Sequence, residues 1–174
     1  MKRYWGPLLL ALALAVIAHV AVVKLEPYYF MRGAINRNIV KGGINKWFEA
    51  PRVTSASRTV VHPSPELAYS ACVFDLSNGP VHLRVQPMDE YWSLSLYAAD
   101  AENFHAWNYR TSPQGVDIWL VGSQAVERQA PPGVAVVSSP SNRGLAFIRR
   151  HVVDDASWGL IAQARKLDRC EAVP

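Results

Sequence analysis

Four aromatic residues in the middle of the chain are candidates for lining a ligand-binding cleft: Tyr69, Tyr91, Tyr97 and Trp119. Each falls opposite the more aliphatic face of a segment whose side chains alternate in character. A face lined by such rings suits a flat or apolar ligand. Alternatively, a second sheet or the terminal helices cover this face, because aromatic residues commonly fill the space between layers.

Three polar residues in turn-like segments are candidates for the polar contacts of the same cleft: Asp75, Asn103 and Arg143. A few polar groups in an apolar cleft fix the orientation of a ligand. Residues of these types in turns also cap backbone groups, which is their commoner role. The sequence alone leaves both roles open.

Common catalytic signatures are absent from the sequence, which has no Gly-x-Ser-x-Gly, His-Glu-x-x-His, P-loop or Gly-x-Gly-x-x-Gly motif. The histidines beyond the N-terminal run are scattered, and their spacing favours no metal site: His62, His82, His105 and His151. We therefore predict no metal and no cofactor. An enzymatic site would require Asp75, His62 and Arg143 to converge in one concave site.

The elements that must position these residues begin with an apolar run, residues 5–23, in which His19 is the only ionisable group. As a helix this run would reach about 28 Å, close to the thickness of a bilayer core. A cleaved signal peptide is the alternative. However, the small-residue exit that ends at Ala21 has His19 where a small residue is needed. We predict an uncleaved transmembrane anchor.

The flanking charges give conflicting indications of orientation. Lys2 and Arg3 favour a cytoplasmic amino terminus, whereas the basic residues after the run favour the opposite orientation. Long domains are translocated largely regardless of their charge. We therefore predict a single-pass protein of the bacterial inner membrane, with its domain in the periplasm and its anchor in contact with membrane lipids.

The rest of the chain fits one domain of about 150 residues. The net charge is +4, and basic residues concentrate between Lys24 and Arg58, where they suit anionic headgroups. No recognition motif favours binding to nucleic acid. The two cysteines, Cys72 and Cys170, permit a disulfide in an exported domain, although Cys72 also fits a buried free thiol.

Helical patterns flank the middle of the chain. Pro27 predicts that the anchor helix ends or kinks at residue 26. Two apolar stripes on different helical faces then predict a broken juxtamembrane helix, which packs on the domain or lies in the membrane interface. The first stripe is Tyr28, Met31, Ile35 and Ile39, and the second is Val40, Ile44, Trp47 and Phe48. A C-terminal helix is predicted from the N-cap Asp155 to Leu167, with the stripe Leu160, Ile161, Ala164 and Leu167.

From Arg58 onward the side-chain pattern has a period of two, which is typical of β-strands. Turns rich in Gly and Pro separate short strand candidates at residues 69–76, 81–85, 91–97, 116–120, 134–137 and 145–153. The pattern predicts a mainly β fold: an antiparallel β-sandwich or barrel-like domain with an N-terminal transmembrane helix, a juxtamembrane helix and a C-terminal helix. The predicted boundaries are 1–26 for the anchor, 27–52 for the juxtamembrane helical segment and 53–174 for the β-rich domain.

A series of motifs in the β-rich region resembles one protein family. The motifs are, in order, Pro63-Ser64-Pro65-Glu66, Tyr69-Ser70, Asp75-Leu76, Gly79-Pro80, Tyr91-Trp92, Asn103-Phe104 and Asn142-Arg143-Gly144-Leu145. They resemble the domain of unknown function 1254 family, here in a short membrane-anchored form. The resemblance implies a β-rich fold and, as a partner, a protein that carries the companion domain of unknown function 1214. It implies no activity and no catalytic residues.

Together these features predict a membrane-anchored envelope domain of unknown activity that acts as a non-enzymatic module and binds a ligand or a partner. The alternative is an enzyme that acts on an envelope or lipid-like substrate in an aromatic-lined pocket.

Overall fold

The described part of the chain contains two helices and nine strands. A computed structural model describes residues 4–54, 56–57, 63–123 and 130–173. The helices are α1 (Trp5–Gly42) and α2 (Asp155–Leu167). The strands are β1 (Trp47–Glu49), β2 (Leu67–Asp75), β3 (Val81–Val85), β4 (Trp92–Tyr97), β5 (Asn103–Asn108), β6 (Val116–Gly122), β7 (Ala135–Ser139), β8 (Arg143–His151) and β9 (Arg169–Ala172).

Helix α1 runs without interruption through Pro27 for 38 residues. Of the two predicted alternatives at residue 26, an end or a kink, the end is therefore wrong, and the helix crosses the predicted boundary between anchor and juxtamembrane segment. Proline removes one backbone donor, but a single missing hydrogen bond need not end a helix whose next turns are held by packing. That packing is present, because Met31 and Ile35 are buried against the β-domain.

The second predicted helical stripe does not form a helix. Helix α1 ends at Gly42, and Gly43 follows with φ 84 while its N–H donates to the Ile39 carbonyl. Residues Trp47–Glu49 form strand β1 and pair with β2. The helical interpretation of this stripe was wrong because a short apolar run fits the period of a helix and the period of a strand. Pairing with β2 decides in favour of a strand.

The strands form two open sheets. The five-stranded sheet has the order β1-β2-β8-β4-β5, with all strand pairs antiparallel. The four-stranded sheet has the order β7-β6-β3-β9, and only its β6–β7 pair is parallel. The prediction of a mainly β domain with helices at its N-terminal and C-terminal ends is confirmed, and the predicted antiparallel pairing holds for every described strand pair except β6–β7. Neither sheet closes into a barrel among the described residues, so the barrel alternative is wrong.

One hydrophobic core is shared by both sheets. The five-stranded sheet contributes Cys72, Phe74, Leu94, Leu96, Ala146 and Ile148, and the four-stranded sheet contributes Val81, Leu83, Val85, Val116, Ile118, Leu120 and Cys170. Burial of each large apolar side chain in such a core contributes about 1.5–3 kcal/mol. Within it a disulfide joins Cys72 of β2 to Cys170 of β9, with Cα atoms 6.6 Å apart. The bond links the two sheets covalently.

Helix α2 begins one residue earlier than predicted, because Asp154 and not Asp155 is its N-cap. The Asp154 carboxylate accepts a hydrogen bond from the Ser157 N–H in a capping box. Its predicted apolar stripe is also largely wrong. Ile161 is buried, but Leu160 and Leu167 are 59% and 55% exposed. The buried face consists of Ser157, Ile161 and Arg165.

Candidate functional site

The four predicted aromatic residues lie on different parts of the domain. Tyr69 on β2 and Tyr97 on β4 belong to the five-stranded sheet, whereas Trp119 on β6 belongs to the four-stranded sheet. Tyr91 precedes β4, and its ring packs edge-on against Tyr109 with centroids 5.8 Å apart. The structure therefore does not bring the four rings into one cleft.

Tyr97 lies on the outer face of the five-stranded sheet, which we define as the face opposite the shared core. Helix α1 covers part of this face: Met31 and Ile35 are buried there with Val73, and Tyr97 and Leu145 pack against the same cluster. This packing corresponds to the alternative in which a terminal helix covers the aromatic face.

A polar group of four side chains, which we call the Arg149 cluster, lies on this outer face and consists of Arg149, Tyr97, Asn103 and Ser95. The Arg149 Nη1 atom donates to the Ser95 hydroxyl at 3.4 Å. Burial raises the pKa of Tyr97, but hydrogen bonding by Arg149 and Asn103 and the charge of Arg149 outweigh burial and hold that pKa below 10.0. Two predicted residues, Tyr97 and Asn103, thus come together around an arginine that sequence reasoning missed.

A stacked aromatic pair adjoins the Arg149 cluster. The rings of Tyr69 and Phe147 stack with centroids 5.6 Å apart, and the Arg149 guanidinium carbon lies 4.9 Å from the centre of the Phe147 ring. The Tyr69 hydroxyl accepts a hydrogen bond from the Ser64 N–H at 3.0 Å. Strand alternation along β8 places Phe147 and Arg149 on one face. The period of two in the sequence would therefore have placed Arg149 on the same face as Phe147.

Asp75 and Arg143 also come together, but they bind each other. They are register partners on β2 and β8, and Arg143 Nε donates to Asp75 Oδ2 at 3.0 Å. Burial raises the pKa of Asp75, but hydrogen bonds from Ser77 and Arg143 outweigh it and hold that pKa below 3.8. The pair therefore closes the end of the β2–β8 ladder. His62, the third residue of the enzymatic hypothesis, lies outside the described residues.

The remaining histidines occupy separate places. His82 Nε2 lies 2.7 Å from Asp117 Oδ1 on the four-stranded sheet. The His105 ring packs against Trp107 on β5 with centroids 4.0 Å apart, and His151 ends β8. Within the described ranges, no group of three or more His, Cys, Asp or Glu side chains is placed to hold a metal ion.

A buried ion pair, also missed by sequence reasoning, joins β8 to the end of α2. Arg150 Nη1 lies 2.7 Å from Asp168 Oδ2, and each side chain is 1% exposed. The Arg150 Nη2 atom donates to the Gln86 carbonyl at 3.1 Å, and the Gln86 N–H donates to Asp168 Oδ1 at 2.9 Å. The charges neutralise each other inside the protein, so this network is a structural element of the core.

The N-terminal half of α1 is long and apolar enough to cross a bilayer. Its most apolar window of 18 residues has a mean hydropathy of 2.6 and is not buried in the protein. Large aromatic side chains are exposed at both ends of the apolar run, with Trp5 61% exposed, Tyr28 51% exposed and Tyr29 77% exposed.

A solved structure of a bacterial protein shares this fold. The chain is similar to the VPA0106 protein from Vibrio parahaemolyticus, with a TM-score of 0.66 and 19% identity over 85% of this chain and 34% of that protein. An uncharacterized protein from Burkholderia cenocepacia aligns with a TM-score of 0.45 and 13% identity over 64% of this chain and 32% of that one. The chain thus spans about a third of the length of each solved structure.

No curated protein matches the chain. The family described as "Protein of unknown function (DUF1254)" matches residues 44–171, a segment that begins just after α1 and covers α2 and the strands from β1 to β9 except the last residue of β9. The chain therefore belongs to the DUF1254 family.

Proposed function

We propose that this protein is a single-pass module of the bacterial inner membrane that displays a β-sandwich in the periplasm and binds a partner protein without catalysing a reaction. The observation that carries the proposal is the continuity of α1. One helix contains the apolar run and then, through Met31 and Ile35, packs onto the β-domain. The domain is thus fixed to its anchor and not joined by a loose linker.

The aromatic side chains at both ends of the apolar run support a membrane-spanning position for α1. From Trp5 to Tyr28 a helix rises about 35 Å, which fits a hydrocarbon core with part of both interfaces. Trp and Tyr side chains are enriched at those interfaces. Carbonate extraction of bacterial membranes tests the anchor. We expect the full-length protein to remain in the pellet, and its appearance in the soluble fraction at a processed mass would contradict the anchor.

The disulfide between Cys72 and Cys170 supports a periplasmic domain. Disulfides form and persist in oxidising compartments, and the cytosol keeps thiols reduced. Both cysteines are buried, and their bond links the two sheets. A domain that faced the cytosol would lose this link.

The partner proposal rests on length and on an unpaired surface. The similar Vibrio protein is about three times as long as the part of it that matches, so that chain contains much more protein beside this fold. Here Leu160 and Leu167 of α2 and Val153, which precedes the helix, are exposed apolar residues spaced seven positions apart. An exposed apolar patch of this kind is typical of a protein interface. We propose that a protein carrying the companion domain occupies it.

Site-specific photo-crosslinking tests the partner proposal. A photoreactive amino acid replaces Leu160 in one sample and the exposed Gln114, a turn residue before β6, in the matched control. Co-expressed with a companion-domain protein from the same genome, the Leu160 sample should give a cross-linked species of the summed mass, and the Gln114 sample should not. A cross-link between two copies of this chain, or equal cross-linking at both positions, would contradict the proposal.

A further inference from the structure

We propose that the Arg149 cluster binds the phosphate group of an anionic phospholipid headgroup at the membrane surface. This inference rests on the membrane-anchor part of the proposed function. It is independent of the partner and of the side of the membrane on which the domain lies.

The first argument is the charge of the cluster. The half-buried Arg149 faces Ser95 and the Phe147 ring, and no carboxylate of the described residues lies within ion-pair distance of it. Other arginines of the domain do have such partners, for example Arg143 and Arg150. An arginine without a protein anion beside it suits an external anion.

The second argument is the set of donors around that charge. The guanidinium of Arg149 presents N–H groups in a planar fork that matches two phosphate oxygens. The Asn103 amide, the Tyr97 hydroxyl and the Ser95 hydroxyl lie on the same face and can donate to the remaining oxygens. The Phe147 ring, on which Tyr69 stacks, attracts the guanidinium of Arg149 and so favours the position in which these donors surround it.

The third argument is the height of the cluster above the bilayer. Tyr97 packs against the part of α1 that contains Met31 and Ile35. Met31 lies eight residues beyond the end of the apolar run, so α1 places it about 12 Å above the hydrocarbon edge. The headgroup layer is on the order of 5–8 Å thick. Tyr97, the cluster residue that packs on this part of α1, therefore lies about 4–7 Å beyond the layer in which phosphate groups are concentrated, so a lipid phosphate at the membrane surface is near it.

Calorimetric titration of the full-length protein in a neutral detergent tests the inference. The probes are dioctanoyl phosphatidylglycerol, dioctanoyl phosphatidylcholine and inorganic phosphate. The test variant is Arg149→Gln. The matched control is Arg110→Gln, because Arg110 also lies over an aromatic ring, 5.2 Å from the centre of Tyr109, but outside the cluster. We expect saturable binding of phosphatidylglycerol by the wild type and by Arg110→Gln, and at least ten-fold weaker binding by Arg149→Gln.

Several outcomes would overturn the inference. Equal affinities for Arg149→Gln and the wild type would show that Arg149 is not the binding group. Arg149-dependent binding of inorganic phosphate without binding of phosphatidylglycerol would assign the site to a free anion. Equal binding of phosphatidylcholine would remove the preference for anionic lipid. If Arg149→Gln does not fold, Asn103→Ala takes its place as the test variant, because Asn103 is exposed at the start of β5. An unchanged affinity of Asn103→Ala for phosphatidylglycerol would contradict the cluster as the binding site.

Discussion

Breaking the Cys72–Cys170 disulfide should destabilise the β-domain more than any single surface change. Cys72 lies in the middle of β2 in the five-stranded sheet, and Cys170 lies on β9, the four-residue edge strand of the other sheet. Among the described strands, β9 pairs with β3 only, so the disulfide is its other link to the domain. The bond therefore ties the end of the described chain to the centre of the domain.

The expected magnitude follows from the length of the closed loop. The two cysteines are 98 residues apart in sequence. On the chain-entropy account, a loop of this length stabilises the folded state by about 4.7 kcal/mol, because the bond restricts the unfolded chain. At about 2–4 °C per kcal/mol for a domain of this size, reduction should lower the melting temperature by about 9–19 °C.

The free energy of unfolding is measured by urea unfolding of the full-length protein in detergent, with and without reductant and followed by tryptophan fluorescence. A thermal scan of the same two samples measures the change in melting temperature. The double variant Cys72→Ala/Cys170→Ala is the control, since reductant should not change its unfolding. Identical midpoints for oxidised and reduced wild type would refute the reasoning. Two thiols that titrate in denaturant without reductant, in protein purified from cells, would refute it as well.

Three further predictions concern other parts of the domain. Asp168→Asn should lower the free energy of unfolding by about 3–5 kcal/mol, because Arg150 would stay buried without its counter-charge, and a loss under about 1 kcal/mol in urea unfolding would contradict a desolvated pair. Arg149→Gln should raise the pKa of Tyr97 toward 10.0, because burial, which raises this pKa, would be opposed by fewer hydrogen bonds and no arginine charge. An ultraviolet tyrosinate titration measures the pKa, with Tyr97→Phe to assign the signal, and an unchanged pKa would contradict the prediction. A truncated protein that begins at Arg52 should aggregate, because it lacks β1 and the part of α1 that covers the sheet. A truncated protein that begins just after the apolar run should fold. Size-exclusion chromatography compares the two, and equal amounts of soluble monomer would contradict the prediction.

The central strands were predictable because one face of each strand is buried in the shared core. Alternation at Val81, Leu83 and Val85 and at Val116, Ile118 and Leu120 marks strands β3 and β6, and all six side chains are buried. The edge strands β1, β5 and β9 lack this signal. Strand β5 has no buried residue, and β9 has a single buried residue, Cys170. Their pairing is decided by neighbours distant in sequence, which a local pattern does not contain.

The candidate site was predictable only in part, for a similar reason. Alternation correctly separated Tyr97 from the aliphatic core face, but it could not tell which sheet a residue joins. Trp119 was therefore grouped with residues of the other sheet. Arg149 was not singled out because an arginine at an alternating position is usually solvated, and only tertiary contacts with Phe147 and Ser95 give it a defined place.

A pair of reporter fusions after residue 174 tests the central claim, a domain held on the periplasmic side by α1. Alkaline phosphatase is active only after export, and a green fluorescent protein that folds only in the cytosol gives the opposite response. The account predicts high phosphatase activity and no fluorescence in cells that express the full-length fusions at equal levels. Fluorescent cells with inactive phosphatase would contradict it, because the basic residues that follow the apolar run would then have kept the domain in the cytoplasm.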